Sequence, residues 1–239
     1  MNAATIKALN KINTHFYNQI AEEFDSTRQN PWPGWQKLLP RLPAKPSIAV
    51  LDIGCGNGRF ASFLTKNKIK IDYLGTDNNS KLINLAKNKL SKHPTIKFNQ
   101  IDLLNQQLKI AKKYDLIVCF GFLHHIPSFK LRLNFLKQLP NLLAINGILA
   151  LSTWKFYEQS RFRKKIVSWD KVNTINPAQL EKHDYLLNWG RGVQNLRYCH
   201  FIDKVEEKKL IQNINLNTIN SYRSDGKSKN LNQYYILTP

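Results

Sequence analysis

Val50-Leu51-Asp52-Ile53-Gly54-Cys55-Gly56-Asn57-Gly58-Arg59 decides the fold. An apolar strand ends in an acid, and a turn follows with glycine at 54, 56 and 58. Glycine has no Cβ, so the chain can turn sharply there and a ligand can reach the backbone. A strand that enters such a turn and leaves it as a helix is the opening unit of a doubly wound nucleotide-binding fold. The spacing is G-x-G-x-G, not the dinucleotide G-x-G-x-x-G, and Asp52 stands two residues before the first glycine. An acid at that position suits a cationic ligand better than a pyrophosphate.

The segment resembles motif I of the class I methyltransferases, whose cofactor is S-adenosylmethionine, a ligand bearing an ammonium and a sulfonium. The flanking sequence agrees. Strands are expected over 48–53, 71–76, 96–101, 115–120 and 148–152. Helices are expected over 59–66, from Ser80 to about Leu90, and over 129–143 with a break at Pro140. A helix over 205–214 and two strands, 218–222 and 233–237, follow. Alternating strands and helices imply right-handed crossovers. The expected fold is therefore α/β: a doubly wound, mostly parallel seven-stranded sheet with an antiparallel last strand. Residues 1–47 read as a helical segment covering cofactor and substrate. Residues 48–239 read as the methyltransferase domain, with an aromatic, basic substrate-binding insertion at about 155–200.

Only five acids lie in residues 51–154, and three of them, Asp52, Asp77 and Asp102, close the first three strands. Ligands of open α/β sheets bind beyond the carboxyl ends of the strands. Asp77 falls about 20 residues past the glycine turn, where an acid grips a ribose diol. Asp102 is expected to accept from the adenine amino group with Leu103 against the ring, while Phe120 and Gly121 line the methionine end. A single Asp at such a place is more often a helix cap; three in succession favour the cofactor.

The net charge is +20 over 239 residues, which invites a polyanionic partner such as nucleic acid. No apolar run is long enough to cross a bilayer, and no secretory signal is read. Cysteines 55, 119 and 199 form no metal-ligand spacing; they read as reduced thiols of a cytoplasmic protein.

The stretch from Phe16 to Arg28, followed by Pro31-Trp32-Pro33, closely resembles the opening of the tRNA wobble-uridine carboxymethyl methyltransferases. So do Phe122-Leu123-His124-His125-Ile126 and Leu196-Arg197-Tyr198-Cys199-His200-Phe201, although Cys199 stands where an aromatic residue is usual. The resemblance implies methyl-esterification of 5-carboxymethyluridine in the tRNA anticodon loop. It also implies a possible small zinc-binding activator protein. A carboxylate is ionised at neutral pH and needs no general base. It does need a cation to orient it, and Arg191 and Arg197 are the candidates, with His200 and His124 behind them. Either arginine could equally contact phosphate. Arg28 is expected to clamp the methionine carboxylate, with Tyr17 and Trp32 closing that side. Two rival readings stand: a small-molecule methyltransferase using His124 or His125 as base, and a non-catalytic RNA-binding subunit.

Overall fold

The computed structural model describes residues 1–102, 112–189 and 195–239. Helix α1 (Ala3–Thr27) opens the chain, and the side chain of its N-cap Asn2 accepts from the Thr5 N–H at 2.9 Å. It buries Thr5, Leu9, Asn13, Phe16 and Ile20, a stripe at three- and four-residue spacing. The helix starts well before the aromatic repeat that betrays it in sequence, because its first turns bury polar Thr5 and Asn13 beside Leu9. After the Pro31–Pro33 break comes the short α2 (Pro33–Gln36), with proline at its first position, where the missing N–H costs nothing.

The core alternates as expected: β1 (Ile48–Ile53), α3 (Arg59–Lys66), β2 (Ile71–Asp77), α4 (Ser80–Lys89), β3 (Ile96–Gln100), β4 (Tyr114–Phe120), α5 (Phe129–Leu136) and β5 (Leu143–Trp154). Three details differ from expectation. Asn79, not Ser80, caps α4, accepting from Leu82 N–H at 2.9 Å. Helix α5 stops at Leu136, and Pro140–Leu142 forms a separate 3₁₀ turn, since proline cannot donate within a helix. Strand β5 begins at Leu143 and reaches β4 through a register irregularity between Tyr114 and Leu116.

Residues 155–200 hold α6 (Ser160–Arg163) and a small antiparallel sheet of β6 (Ile166–Val167), β7 (Asp184–Asn188) and β8 (Leu196–His200). The chain closes with α7 (Lys204–Gln212), β9 (Asn217–Ser224) and β10 (Asn232–Thr238). The main sheet has seven strands in the order β3-β2-β1-β4-β5-β10-β9, and β10 runs antiparallel to both neighbours. The order reverses between β1 and β4, so the crevice of this sheet lies at their carboxyl ends.

Alternate residues of each central strand feed opposite faces. Leu116, Val118 and Phe120 of β4 join the layer under α3 and α4, while Ile117 and Cys119 join the layer under α5 and α7. Being covered on both faces, β4 is buried at every position. The small sheet is tied to the body by α1: Leu9 packs with Ile175 and Tyr198, and Asn13 Oδ1 accepts from Tyr198 N–H at 2.9 Å. Buried Lys155 anchors its other end, donating to Ile202 O at 2.7 Å and pairing with Glu207 of α7 at 2.5 Å.

Candidate cofactor and substrate site

A cavity of about 560 Å³ opens beyond the carboxyl ends of β1, β2 and β4, under α1 and the small sheet. That is the size of a nucleoside-ligand cleft. The glycine turn forms its floor. Gly54, Gly56 and Gly58 all have positive φ, between 53° and 73°, where a Cβ would be strained. At Gly54 a Cβ would also lie 2.8 Å from the Phe122 ring. Gly58 does not line the cavity; it starts α3 and allows close packing on Phe98, Ala86 and Leu90.

Asp52, Asp77 and Asp102 all line the cavity. Asp77 accepts from Gly56 N–H at 3.0 Å and Asn79 N–H at 2.9 Å, one bond to each carboxylate oxygen. A carboxylate has about four acceptor sites, so capacity for two hydroxyls remains. Burial raises its pKa, against the pull of those amides. Asp52 is 3 % exposed and accepts from the Tyr73 hydroxyl. Burial pushes its pKa up to about 7, with the nearby Asp77 charge adding to the effect. Phe120 and Gly121 line the wall, and the Trp32 ring sits 3.0 Å from where a Gly121 Cβ would be.

The N-terminal segment closes over this floor. Asn57 Nδ2 donates to Asp25 Oδ1 at 2.8 Å and to Arg28 O at 3.3 Å, tying the end of α1 to the glycine turn. Asp225, in the β9–β10 turn, accepts from Gly34 N–H at 2.7 Å, Asn232 Nδ2 at 2.8 Å and Tyr234 O–H at 2.5 Å. It holds the Trp32–Gly34 turn against the cavity mouth. In sequence Asp225 reads only as a turn residue, because its partners are brought together by tertiary folding.

Arg59, Arg28 and Arg197 line the same cavity, as does Arg161. None of them is in an ion pair among the described residues. Arg59 lies over the Trp32 and Trp35 rings, 5.2 Å from each centroid, and its Nε is buried with no hydrogen-bond partner. Burial and the Arg28 charge lower its pKa to about 10. Arg28 is lowered by burial and by Arg197 in turn. Arg197 is 9 % exposed and sits among Trp154, Trp189 and Phe16, at 4.7, 5.1 and 5.6 Å. Its Nε also has no partner. Arg197 is buried and Arg28 and Arg59 are half-buried, and guanidinium groups drawn into a cavity without counter-ions call for anions. Arg59 was missed by the sequence reading, although it directly follows the last glycine.

His124 lines the cavity, and its Nδ1 is buried without a partner. Burial, then the neighbouring His125, Arg197 and His200, hold its pKa well below the usual histidine value. His125 falls to about 3 through burial and Arg197. Its neutral ring donates from Nδ1 to Tyr198 O at 3.2 Å and accepts at Nε2 from Tyr17 O–H at 2.8 Å. His200 does not line the cavity. Its Nδ1 meets Asp184 at 2.7 Å and its Nε2 meets Glu206 at 2.7 Å, and these carboxylates raise its pKa despite burial. With Arg132, itself bound to Glu181 and Glu206, it locks β8 to α5 and α7. The sequence expectation for His200 is therefore corrected: it is a buried ion-network residue. Arg191 and Leu103 lie outside the described residues.

A sequence profile described as a methyltransferase domain matches residues 24–221. The chain belongs to this methyltransferase family. It is 27 % identical over 180 residues to the tRNA (carboxymethyluridine(34)-5-O)-methyltransferase ALKBH8 of Mus musculus, spanning 72 % of this chain but 25 % of that protein. It is 26 % identical over 210 residues to the tRNA (carboxymethyluridine(34)-5-O)-methyltransferase of Schizosaccharomyces pombe, covering 82 % of this chain and 84 % of the relative. Among solved structures, an S-adenosylmethionine-dependent methyltransferase from Clostridium acetobutylicum superposes with a TM-score of 0.66 at 18 % identity, covering 93 % of this chain and 98 % of the other. The chain is thus a methyltransferase domain with the class I fold of S-adenosylmethionine-dependent methyltransferases.

The residues fit that cofactor. Asp77 has acceptor capacity for a ribose diol, Asp102 lies two residues past the end of β3, and Asp52, when ionised, would offer negative charge beside the glycine turn. Arg28 and Arg59 would offer cations to the cofactor's carboxylate. Bound S-adenosylmethionine supplies a methyl group on a positively charged sulfur.

A pH dependence follows from Asp52. A cationic ligand favours its ionised form, so cofactor affinity should weaken as pH falls through about 7. For the free protein the sign is opposite. A carboxyl raised from its ordinary value of 3.8 to about 7 stabilises the fold below 3.8, and that stabilisation is lost as pH rises to about 7. Asp52→Asn should therefore stabilise the free protein at pH 8 while removing most of the pH dependence of cofactor binding. Calorimetric titration from pH 5.5 to 8.5 checks this, and a dissociation constant that stays level in the wild type would sink it.

Proposed function

We propose that the enzyme methyl-esterifies a carboxymethyl group on the wobble uridine of tRNA. The observation that carries this reading is Arg197, a nearly buried guanidinium that is in no ion pair among the described residues, keeps its Nε without a partner and lies among aromatic rings at the cofactor cavity. Such a group is suited to a planar carboxylate, onto which it can fork two hydrogen bonds. Trp154 and Trp189 offer faces on which a base could stack.

The histidines support the same conclusion. A hydroxyl nucleophile needs a base poised near the working pH. His124 lies well below the ordinary value and His125 at about 3, so neither is suited to take a proton from a hydroxyl. A carboxylate arrives already deprotonated. The protein's task is then to strip it of water, hold it on Arg197 and aim one oxygen at the methyl carbon. His124 Nδ1 is available to hydrogen-bond the same substrate. The names of the mouse and fission-yeast relatives agree with this substrate.

The test is transfer of radiolabelled methyl to tRNA carrying 5-carboxymethyluridine, beside tRNA with unmodified uridine and free small-molecule acids. Labelling only of the carboxymethylated tRNA is expected, as a base-labile ester. The single-turnover rate should show no rise through the histidine range. A rate climbing with pH from 5.5 to 7.5 in step with one ionisation, with cofactor saturating throughout, would argue for a base and a hydroxyl substrate instead.

A further inference from the structure

Two segments far apart in sequence meet at one rim of the cavity. Helix α6 and the turn after it carry Arg161, Arg163, Lys164 and Lys165, all exposed. The β9–β10 turn carries Lys227 and Lys229, also exposed. The two are in contact. A Cβ on Gly226 would lie 3.5 Å from Arg161 Nη2, Gln159 Nε2 donates to Asn230 Oδ1 at 3.2 Å, and Ser228 Oγ donates to Gln159 Oε1 at 3.4 Å.

None of these six cations is in an ion pair among the described residues. Glu158, on the same rim, is already held by Arg223 at 2.7 Å. Asp225 is turned inward onto Gly34, Asn232 and Tyr234. Some surface lysines are paired, Lys45 with Asp115 at 2.6 Å and Lys89 with Asp25 at 2.9 Å, while Lys130, Lys137, Lys208 and Lys209 are in no ion pair among the described residues but are not gathered at the cavity. The rim therefore gathers like charge without compensation, which costs repulsion that a polyanion would relieve. The charge is also placed relative to the site. Arg161 and Lys165 line the cavity, Arg161 lying 4.6 Å over the Phe162 ring, whereas Arg163, Lys164, Lys227 and Lys229 do not line it.

We propose that this rim is a ridge for the sugar-phosphate backbone of the RNA strand on one side of the nucleotide whose base enters the cavity. The inference rests on the tRNA reading above. It assigns the α6 segment and the β9–β10 turn to one surface, which the sequence could not show, and orders the contacts outward from the cavity.

The experiment compares Arg163→Gln/Lys164→Gln/Lys227→Gln/Lys229→Gln with a control that neutralises Lys130 and Lys137, on α5 and at its C-cap, and Lys208 and Lys209 on α7. Dissociation constants for tRNA are measured from 50 to 300 mM salt. Binding of S-adenosylhomocysteine verifies the fold of each variant. Each lost phosphate contact on a single strand lowers the slope of log affinity against log salt by about 0.7, so the ridge variant should lose about 2–3 in slope. The control should keep the wild-type slope. Either ridge pair made alone should lose about half as much, which also covers a quadruple variant that folds poorly. A ridge variant with the wild-type slope, or a control that loses as much, overturns the ridge and leaves the tRNA reading standing. Wild-type protein with no salt-dependent tRNA affinity overturns the reading and the ridge with it.

Discussion

Arg197→Met is expected to lower kcat/KM on carboxymethylated tRNA by about 100-fold or more, while raising the thermal midpoint of the free enzyme. Removing one partner of a buried, hydrogen-bonded charge pair costs about 2–5 kcal/mol, and 3 kcal/mol is a factor of about 150. The loss should fall more on KM than on kcat. A carboxylate gives up negative charge as it becomes an ester, so the guanidinium holds the ground state at least as firmly as the transition state. The stability change has the opposite sign because Arg197 has no counter-ion in the free protein. Replacing an unpaired buried cation by an apolar side chain of similar length removes a desolvation cost and keeps contact with Trp154 and Trp189. Arg197→Lys should fall between, since an ammonium keeps the charge but cannot fork. Steady-state kinetics and thermal melts of the three proteins decide it. Activity within threefold of wild type in Arg197→Met would remove Arg197 from the site.

The division between what sequence reveals and what it conceals runs along contact order. The glycine turn, the strand-terminal acids and the alternating core are local patterns, and each appears where its spacing places it. Arg197 was legible only through its motif, since nothing local says that Trp154 and Trp189 will surround it. His200 illustrates the converse. Three residues beyond Arg197 in the same strand it reads as a second-choice candidate, but β-strand positions an odd number apart point to opposite faces. Arg197 faces the cavity, and His200 faces Asp184, Glu206 and Arg132. The small sheet escaped detection because β6 is two residues long and β7 and β8 are five each. Three of the five residues of β7 and four of the five of β8 are buried, so no clean alternation marks a single buried face.

Arg59 and Asp225 were missed for different reasons. Arg59 follows the last glycine and starts α3, where a basic residue is disfavoured by the helix dipole. That local conflict was the available signal of a ligand-directed cation. Asp225 gave no such signal. Its positive φ of 70° and its three hydrogen bonds are products of a turn closed by Gly34, which lies 191 residues away.

The second large effect belongs to Asp77. Asp77→Ala should weaken binding of S-adenosylhomocysteine by about 100-fold or more, since a carboxylate that accepts two hydroxyl bonds contributes about 1.5–3 kcal/mol for each. Part of the loss in that variant would come from the protein itself. Gly56 N–H and Asn79 N–H would lose their acceptor, and the glycine turn could relax. A cycle with the 2′-deoxy analogue separates the two contributions. In wild-type protein the deoxy analogue should bind about tenfold or more weakly. In Asp77→Ala the two ligands should bind alike, because the carboxylate that distinguishes them is gone. If the variant still rejects the deoxy analogue as strongly as wild type does, the diol is held by another group, and Asp77 serves only to brace the glycine turn.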